Sequence, residues 1–231
     1  VLKRERSLTE KAFFKIAPNL YLDKDEQKFL NLLRVIGQSE ESQARLDAVE
    51  QMMSFKKYKT ANIPENRTFE YLTKWYYVAI YEMYNITNFD PSPISIQKKL
   101  KKKISIAEIE QAIKFLKNNK FIIQNPNGAW SQSGTFLDCK EGIFKISLAQ
   151  FHKQMLDLAH ASISETKRED RYIIGQTMAV NRENFEKIKQ IIQQAMNSIN
   201  ELNKNSLEKD NVYHVEIAAF PLLEKIEEKK S

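Results

Sequence analysis

Five lysines crowd the six positions from 98 to 103: Lys98, Lys99, Lys101, Lys102 and Lys103. Ammonium groups at that density attract phosphate oxygens, and a chain that neutralises several phosphates gains from the counterions it releases. Just downstream, Gln111, Lys114, Lys117 and Asn118 fall outside an apolar stripe of helical spacing. Amide and ammonium groups of this kind hydrogen-bond to base edges in the major groove. Lys120 and Asn127 stand close enough in sequence to add backbone contacts. Glu108 and Glu110 work against this chemistry. Carboxylates at the start of a reading helix are repelled by phosphates and serve mainly as acceptors from cytosine.

Such side chains act only if short, rigid elements hold them. The segment SIQKKLKKK predicts a short helix with Ile96 and Leu100 inward and Ile104 over its end. Ser105 and Glu108 have capping-box spacing and open a second helix, whose Ile109, Ala112, Ile113 and Leu116 face inward. FIIQ then begins a strand, Pro126 to Gly128 turn it, and Trp130 anchors the return. Upstream, Thr68 to Asn85 is expected to form one helix. Phe69, Leu72, Tyr76, Ala79 and Met83 make one stripe, and Tyr77, Tyr81 and Tyr84 a second. A helix apolar on more than one face belongs in a core, which outweighs a base-stacking role for the tyrosines. Residues 68–135 are therefore expected to form a winged helix-turn-helix. The charge agrees: residues 67–135 hold ten basic and five acidic side chains, against twelve and ten before them and fourteen and fifteen after.

The flanks read as helical. In residues 1–58, Ser7 and Glu10 have capping-box spacing, Pro18 ends the first turns near Ala17, and Asp23 caps a helix burying Phe29, Leu32, Leu33 and Ile36. A more polar helix from Ser39 to about Tyr58 follows, and residues 59–67 (KTANIPENR) are expected as a linker. Residues 136–231 predict a helical domain. A long helix places Leu148, Phe151, Met155, Leu158 and Ala159 on one side. Another, capped by Asn181, buries Phe185, Ile188, Ile192, Ala195, Ile199 and Leu202. The runs 172–180 and 212–220 have strand character and are expected to pair as one small sheet. The expected fold is mainly α (α+β), multi-helical, with a central winged helix-turn-helix and a small β element in the C-terminal part. Its long amphipathic helices make a homo-oligomer, such as a dimer, the expected state.

Several kinds of chemistry are excluded. The five glycines lie too far apart for a phosphate-binding loop. His152 and His160 are eight positions apart with no carboxylate at ligand spacing, so a buried or interfacial role is expected, and His214 is expected to pack. Cys139 has no motif around it and reads as a small hydrophobe; a lone cysteine suits a reducing cytoplasm. Arg168 and Arg171 flank Glu169 and Asp170 and predict a local ion-pair turn. No apolar run approaches the roughly 20 residues needed to cross a bilayer. The sequence therefore predicts no enzyme, no metal or other cofactor, and no membrane partner.

The segments YLTKWYYVAIYEM, ISIAEIEQAIKFLKNNKFI, FHKQMLDLAHASI, REDRYIIGQT and VYHVEIAAFPL resemble, in that order, the Fsuc-second paralogous family of bacterial proteins. The likeness runs from about residue 65 to 222. It implies transcriptional regulators that begin with a helix-turn-helix similar to the phage-repressor type, which Val1 to Arg6 would follow. It implies no catalytic residue and no ligand. Two functions stand as expectations: a DNA-binding regulator acting through the winged helix, or a module that uses the same scaffold for protein interaction or dimerisation.

Overall fold

Side-chain caps start several of the helices. The computed structural model describes residues 8–134, 141–206 and 208–224. Thr9 accepts from the Ala12 N–H at 3.3 Å to open α1 (Glu10–Ile16); the Ser7 cap expected there lies outside the described residues. Pro18 sits in a 3-10 turn, Ala17–Leu20, that follows directly. Asp23 and Glu26 form a reciprocal capping box at the start of α2 (Lys24–Gln38), with bonds of 2.8 and 3.0 Å. Leu32 of α2 packs with Leu46, Val49 and Met52 of α3 (Ser42–Ser54).

Two expectations fail in the next stretch. Residues 59–67, read as a linker, are helical except at Asn62, divided between α4 (Lys56–Ala61) and α5 (Ile63–Leu72). Pro64 lies in the first turn of α5, where its missing N–H loses no helical bond. The single helix expected from Thr68 to Asn85 is broken at Thr73 and Lys74 and resumes as α6 (Trp75–Met83). The Thr73 hydroxyl donates to the Phe69 carbonyl at 2.7 Å. The Trp75 N–H donates to Gln154 Oε1 at 3.1 Å, reaching α9 (Glu141–Glu165). A side chain 79 positions away thus caps the new helix.

Beyond α6 come α7 (Pro93–Lys99), α8 (Ile106–Asn118), β1 (Ile122–Gln124) and β2 (Trp130–Gln132). The strands pair antiparallel, Ile122 opposite Gln132 and Gln124 opposite Trp130. Their loop closes through Gly128 N–H to the Asn125 carbonyl (2.9 Å) and Asn125 N–H to the Ala129 carbonyl (2.8 Å). Gly128 takes φ +84° there, a left-handed value that favours glycine.

Tyr77, Ile80, Ile96, Ile109, Leu116, Phe121 and Ile122 fill the principal core around α6, α7, α8 and β1. A second cluster joins α2 and α3. α5 and α9 serve both: Phe69 and Ile143 enter the second cluster, Tyr71, Leu72 and Phe151 the first. The segments 1–58, 68–135 and 136–231 therefore share cores. Tyr76 and Tyr77 of α6 and Tyr84 at its end are core residues, as their stripes imply, and Tyr81 packs half-buried against that core.

After α9 a 3-10 turn, Arg168–Asp170, leads to residues 171–180, which are free of helix, turn and ladder. Asn181 then caps α10 (Arg182–Asn205), accepting from the Asn184 N–H at 2.8 Å. Residues 208–221 again run without helix or ladder. The expected pairing of 172–180 with 212–220 does not occur; β1 and β2 form the one sheet among the described residues. Nor does α10 bury its stripe, for none of its residues is buried. Strand-like and helix-like patterns need an apolar surface to cover them. Among the described residues these segments find only partial cover, with Val212 against the core and Phe185, Ile188 and Ile192 half-buried.

Burial raises the pKa of Tyr71 and Tyr77, with Glu82 and Glu70 adding repulsion, and pushes Tyr84 up to about 12. In the unfolded chain phenols titrate near pH 10 (roughly). The unfolded state therefore loses these protons first. The stabilisation is complete below about pH 10 and is lost as pH rises towards 12, by about 1 kcal/mol per pH unit for each phenol. Urea midpoints measured at pH 9, 10 and 11 should fall accordingly, and Tyr84→Phe should make the fall shallower.

Candidate nucleic-acid interface

The start of α7 is fixed by a short chain of hydrogen bonds. The Asp90 carboxylate accepts from the Ser92 N–H and hydroxyl, both at 2.9 Å, and the Ser92 oxygen accepts from the Ser95 N–H at 3.3 Å. Those Ser92 bonds hold the Asp90 carboxyl below the usual range. The far end of α7 is closed by a lysine. Lys103 Nζ donates to the carbonyls of Gln97 (3.0 Å), Lys98 (3.1 Å) and Leu100 (2.9 Å). An ammonium has three N–H donors, and here three carbonyls at a helix C-terminus take them. Lys103, expected to position a phosphate, instead caps α7.

Its four companions differ. Lys98, Lys99, Lys101 and Lys102 are exposed, and none has a carboxylate within ion-pair distance among the described residues. Lys99 lies near enough to Asp90 to help lower its pKa. Two of the four complement the C-terminal dipole of α7, and two occupy the turn beyond it.

On α8 the outer face presents Glu110, Gln111, Lys114, Lys117 and Asn118, all exposed. Glu108 turns back: its carboxylate accepts from the Ser105 hydroxyl at 2.6 Å and the Ser105 N–H at 3.0 Å. The hydroxyl bond first, then the backbone bond, lowers its pKa. Its charge is thereby committed to the helix N-terminus, and Glu110 is left as the opposing carboxylate. An open groove of about 330 Å³ runs between α8 and the start of α7, lined by Pro91, Pro93, Glu110, Lys114, Lys117 and Asn118 among others. Gln111 and the lysines at 98–102 do not line it. The structure therefore gathers the expected contacts into two patches rather than one.

The hairpin joins the second patch through a contact not anticipated from sequence. Lys117 Nζ lies 4.2 Å from the centre of the Trp130 ring, linking α8 to β2. Lys120 takes φ +56° at the end of α8, with Lys120 N–H to the Lys117 carbonyl (3.1 Å) and Phe121 N–H to the Leu116 carbonyl (2.9 Å). That is a Schellman closure with lysine where glycine is usual. Asn127 builds its own loop, accepting from the Ala129 N–H at 3.0 Å. Arg67, passed over in the sequence, sets its guanidinium 5.7 Å from the centre of the Phe121 ring.

The excluded chemistry needs small revisions. His152 is about half exposed and, with His214, faces one carboxylate: Nδ1 of His152 lies 3.2 Å and Nε2 of His214 3.0 Å from the oxygens of Glu216. His214 also packs edge-on against Phe151, while His160 is exposed. Arg171 donates to the carbonyls of Ile163 (2.9 Å) and Thr166 (3.0 Å), so it closes α9 instead of pairing within its turn. There Lys167 meets Glu169 at 3.8 Å. Among the described residues no cluster of His, Cys, Asp or Glu could hold a metal, and no helix is long and apolar enough to cross a membrane. Cys139 lies outside the described residues.

Lys103→Met should destabilise the protein by about 1 kcal/mol, the usual scale of a lost hydrogen-bonding group. Lys102→Met should stay within roughly 0.5 kcal/mol. Urea denaturation of the two variants separates the structural lysine from the free one.

A family profile described as Domain of unknown function (DUF4423) matches residues 54–222. No curated protein and no solved structure matches the chain. The profile runs from the end of α3 through the hairpin, α9 and α10, which is most of the sequence, and on that ground the chain belongs to the DUF4423 family.

Proposed function

We propose that residues 68–133 act as a winged helix that docks on duplex DNA, and that the protein regulates transcription. The observation that carries this reading is the set of exposed lysines at 98, 99, 101 and 102, in the last turn of α7 and the turn beyond it, with no acidic partner in ion-pair reach among the described residues. Such amines position phosphates but carry no sequence information. Gln111, Lys114, Lys117 and Asn118 on the outer face of α8 are the groups for base edges. Lys117, held against Trp130, also fixes where the hairpin lies relative to those edges. The likeness of these segments to the Fsuc-second regulators points the same way. Lys103 is assigned no part in binding.

Glu110 lowers the quality of this surface, and its effect is measurable. A carboxylate in the groove disfavours any phosphate or carbonyl brought near it. The alternative reading, a scaffold for protein contacts, predicts no affinity for DNA at all.

Fluorescence anisotropy with a mixed-sequence duplex at several salt concentrations decides between them. Binding should weaken steeply with salt. Replacing Lys98, Lys101 and Lys102 together by Gln should reduce the log–log slope by about 2–3, since each phosphate contact contributes roughly 0.9. Glu110→Gln should tighten binding a few-fold. No binding at low salt, or a slope that the triple substitution leaves unchanged, overturns the proposal.

A further inference from the structure

The C-terminal part of the described residues carries an apolar surface that the nucleic-acid interface does not use. α10 is 24 residues long with no buried residue. Along it Phe185, Ile188, Ile192, Ala195, Ile199 and Leu202 recur at spacings of three and four in strict alternation. That is the seam of a coiled coil, in which knobs of one helix enter holes of another. A globular helix buried on its own core commonly shows a broader stripe. Among the described residues the seam is covered only in part: Phe185, Ile188 and Ile192 are half-buried, Ile199 borders a groove shared with Glu82 and Val212, and Leu202 is 75 % exposed.

The flanks of the seam identify the occupant. Arg182, Lys189, Met196 and Asn203 line one side, and Asn184, Ile191, Ser198 and Asn205 the other. Lys189 is already paired with Glu186 at 2.5 Å. Flanks so nearly neutral raise no repulsion against an identical helix and offer nothing to select a strongly charged partner. The neighbouring segments add matching apolar surface. Val212 and Glu216 are half-buried, and Glu216 binds His152 of α9, while the alternate residues Tyr213, Val215 and Ile217 are exposed. Residues 172–180 have the same unpaired backbone and strand-like composition.

The area suffices. Tyr172, Ile174, Ile191, Leu202, Tyr213 and Phe220 are each at least 63 % exposed. Together they offer on the order of 800–900 Å², matching the roughly 800 Å² per partner of a stable interface. We propose that a second copy of this chain covers residues 172–220, α10 pairing with α10 along its seam while the segments on either side close over the pair. This proposal is independent of DNA binding and survives if the lysine surface binds nothing.

Analytical ultracentrifugation of the whole chain from about 1 to 100 µM tests it, a range that brackets micromolar association. The expected mass at the upper end is twice the 27.1 kDa of one chain. Ile192→Glu with Ile199→Glu should yield monomers and raise the dissociation constant at least a hundredfold (roughly), as two buried charges would. Their folded cores should persist, read from the unfolding of Trp75 and Trp130 fluorescence. Ala195→Leu fills the seam and should tighten association about tenfold or more, a gain that misfolding cannot imitate. A wild-type monomer at 100 µM (roughly a hundredfold above micromolar affinity), or a dimer indifferent to all three seam positions, overturns the proposal.

Discussion

Phe121 follows the left-handed turn at Lys120, and its ring meets four neighbours from three helices. It stacks on Tyr71 of α5 at 4.6 Å with planes 8° apart, and on Phe115 of α8 at 5.8 Å and 23°. Tyr81 of α6 meets it edge-on at 6.0 Å, and the Arg67 guanidinium covers it from α5. A fully buried aromatic side chain removes roughly 150–250 Å² from water, worth on the order of 4–6 kcal/mol. More important than that sum is direction. The residue immediately before β1 is pinned on three helices, so the end of α8 and the beginning of the hairpin cannot swing independently. Every statement about which face of α8 is free, and where the hairpin stands beside it, rests on this one ring being held.

Local chemistry was legible wherever the deciding atoms lie within a few residues of one another. Asp23 with Glu26, Ser105 with Glu108, and Asn181 all cap as their spacing implies. The Pro126–Gly128 turn and the inward set Ile109, Ala112 and Leu116 follow for the same reason. What escaped detection depends on distant partners. The break before Trp75 has no glycine or proline to announce it, since its cap comes from Gln154. Pro64 carries the same letter whether it ends a loop or begins a helix, and only the packing of Phe69 against α2 and α3 decides. Lys103 is indistinguishable from its neighbours in sequence. Three carbonyls within reach of its amine give it a different task.

That distinction changes how the basic segment should be weighed. Counting charges treats all five lysines alike, yet one is consumed by the backbone and another stands near Asp90. The acidic side is revised in the opposite direction. Glu108 looked like an obstacle to an approaching phosphate, but its carboxylate is drawn onto Ser105 at the helix start. The two revisions partly offset each other. The net field around α7 and α8 stays positive, while the geometry shifts its weight towards Lys101, Lys102 and Lys114. Glu110 is the carboxylate that lines the groove and opposes that field there.

The C-terminal part failed its sequence expectations in an informative way. A helix can lose its predicted burial because its stripe was misread, or because the surface that buries it belongs to something else. The apolar residues of α10 lie along one stripe and its cap is in place, yet none of them is buried and Phe185, Ile188 and Ile192 are only half-covered. The following segment is anchored by a few bonds: the Thr87 N–H donates to the Lys209 carbonyl at 2.8 Å, and Glu216 holds both His152 and His214. Those bonds fix the segment beside α6 and α9 and leave Tyr213, Val215 and Ile217 largely exposed. A stripe misread in sequence would be scattered round the helix and its flanks. Here the uncovered residues are contiguous, apolar and nearly uncharged, which is the pattern of half an interface rather than of a failed core.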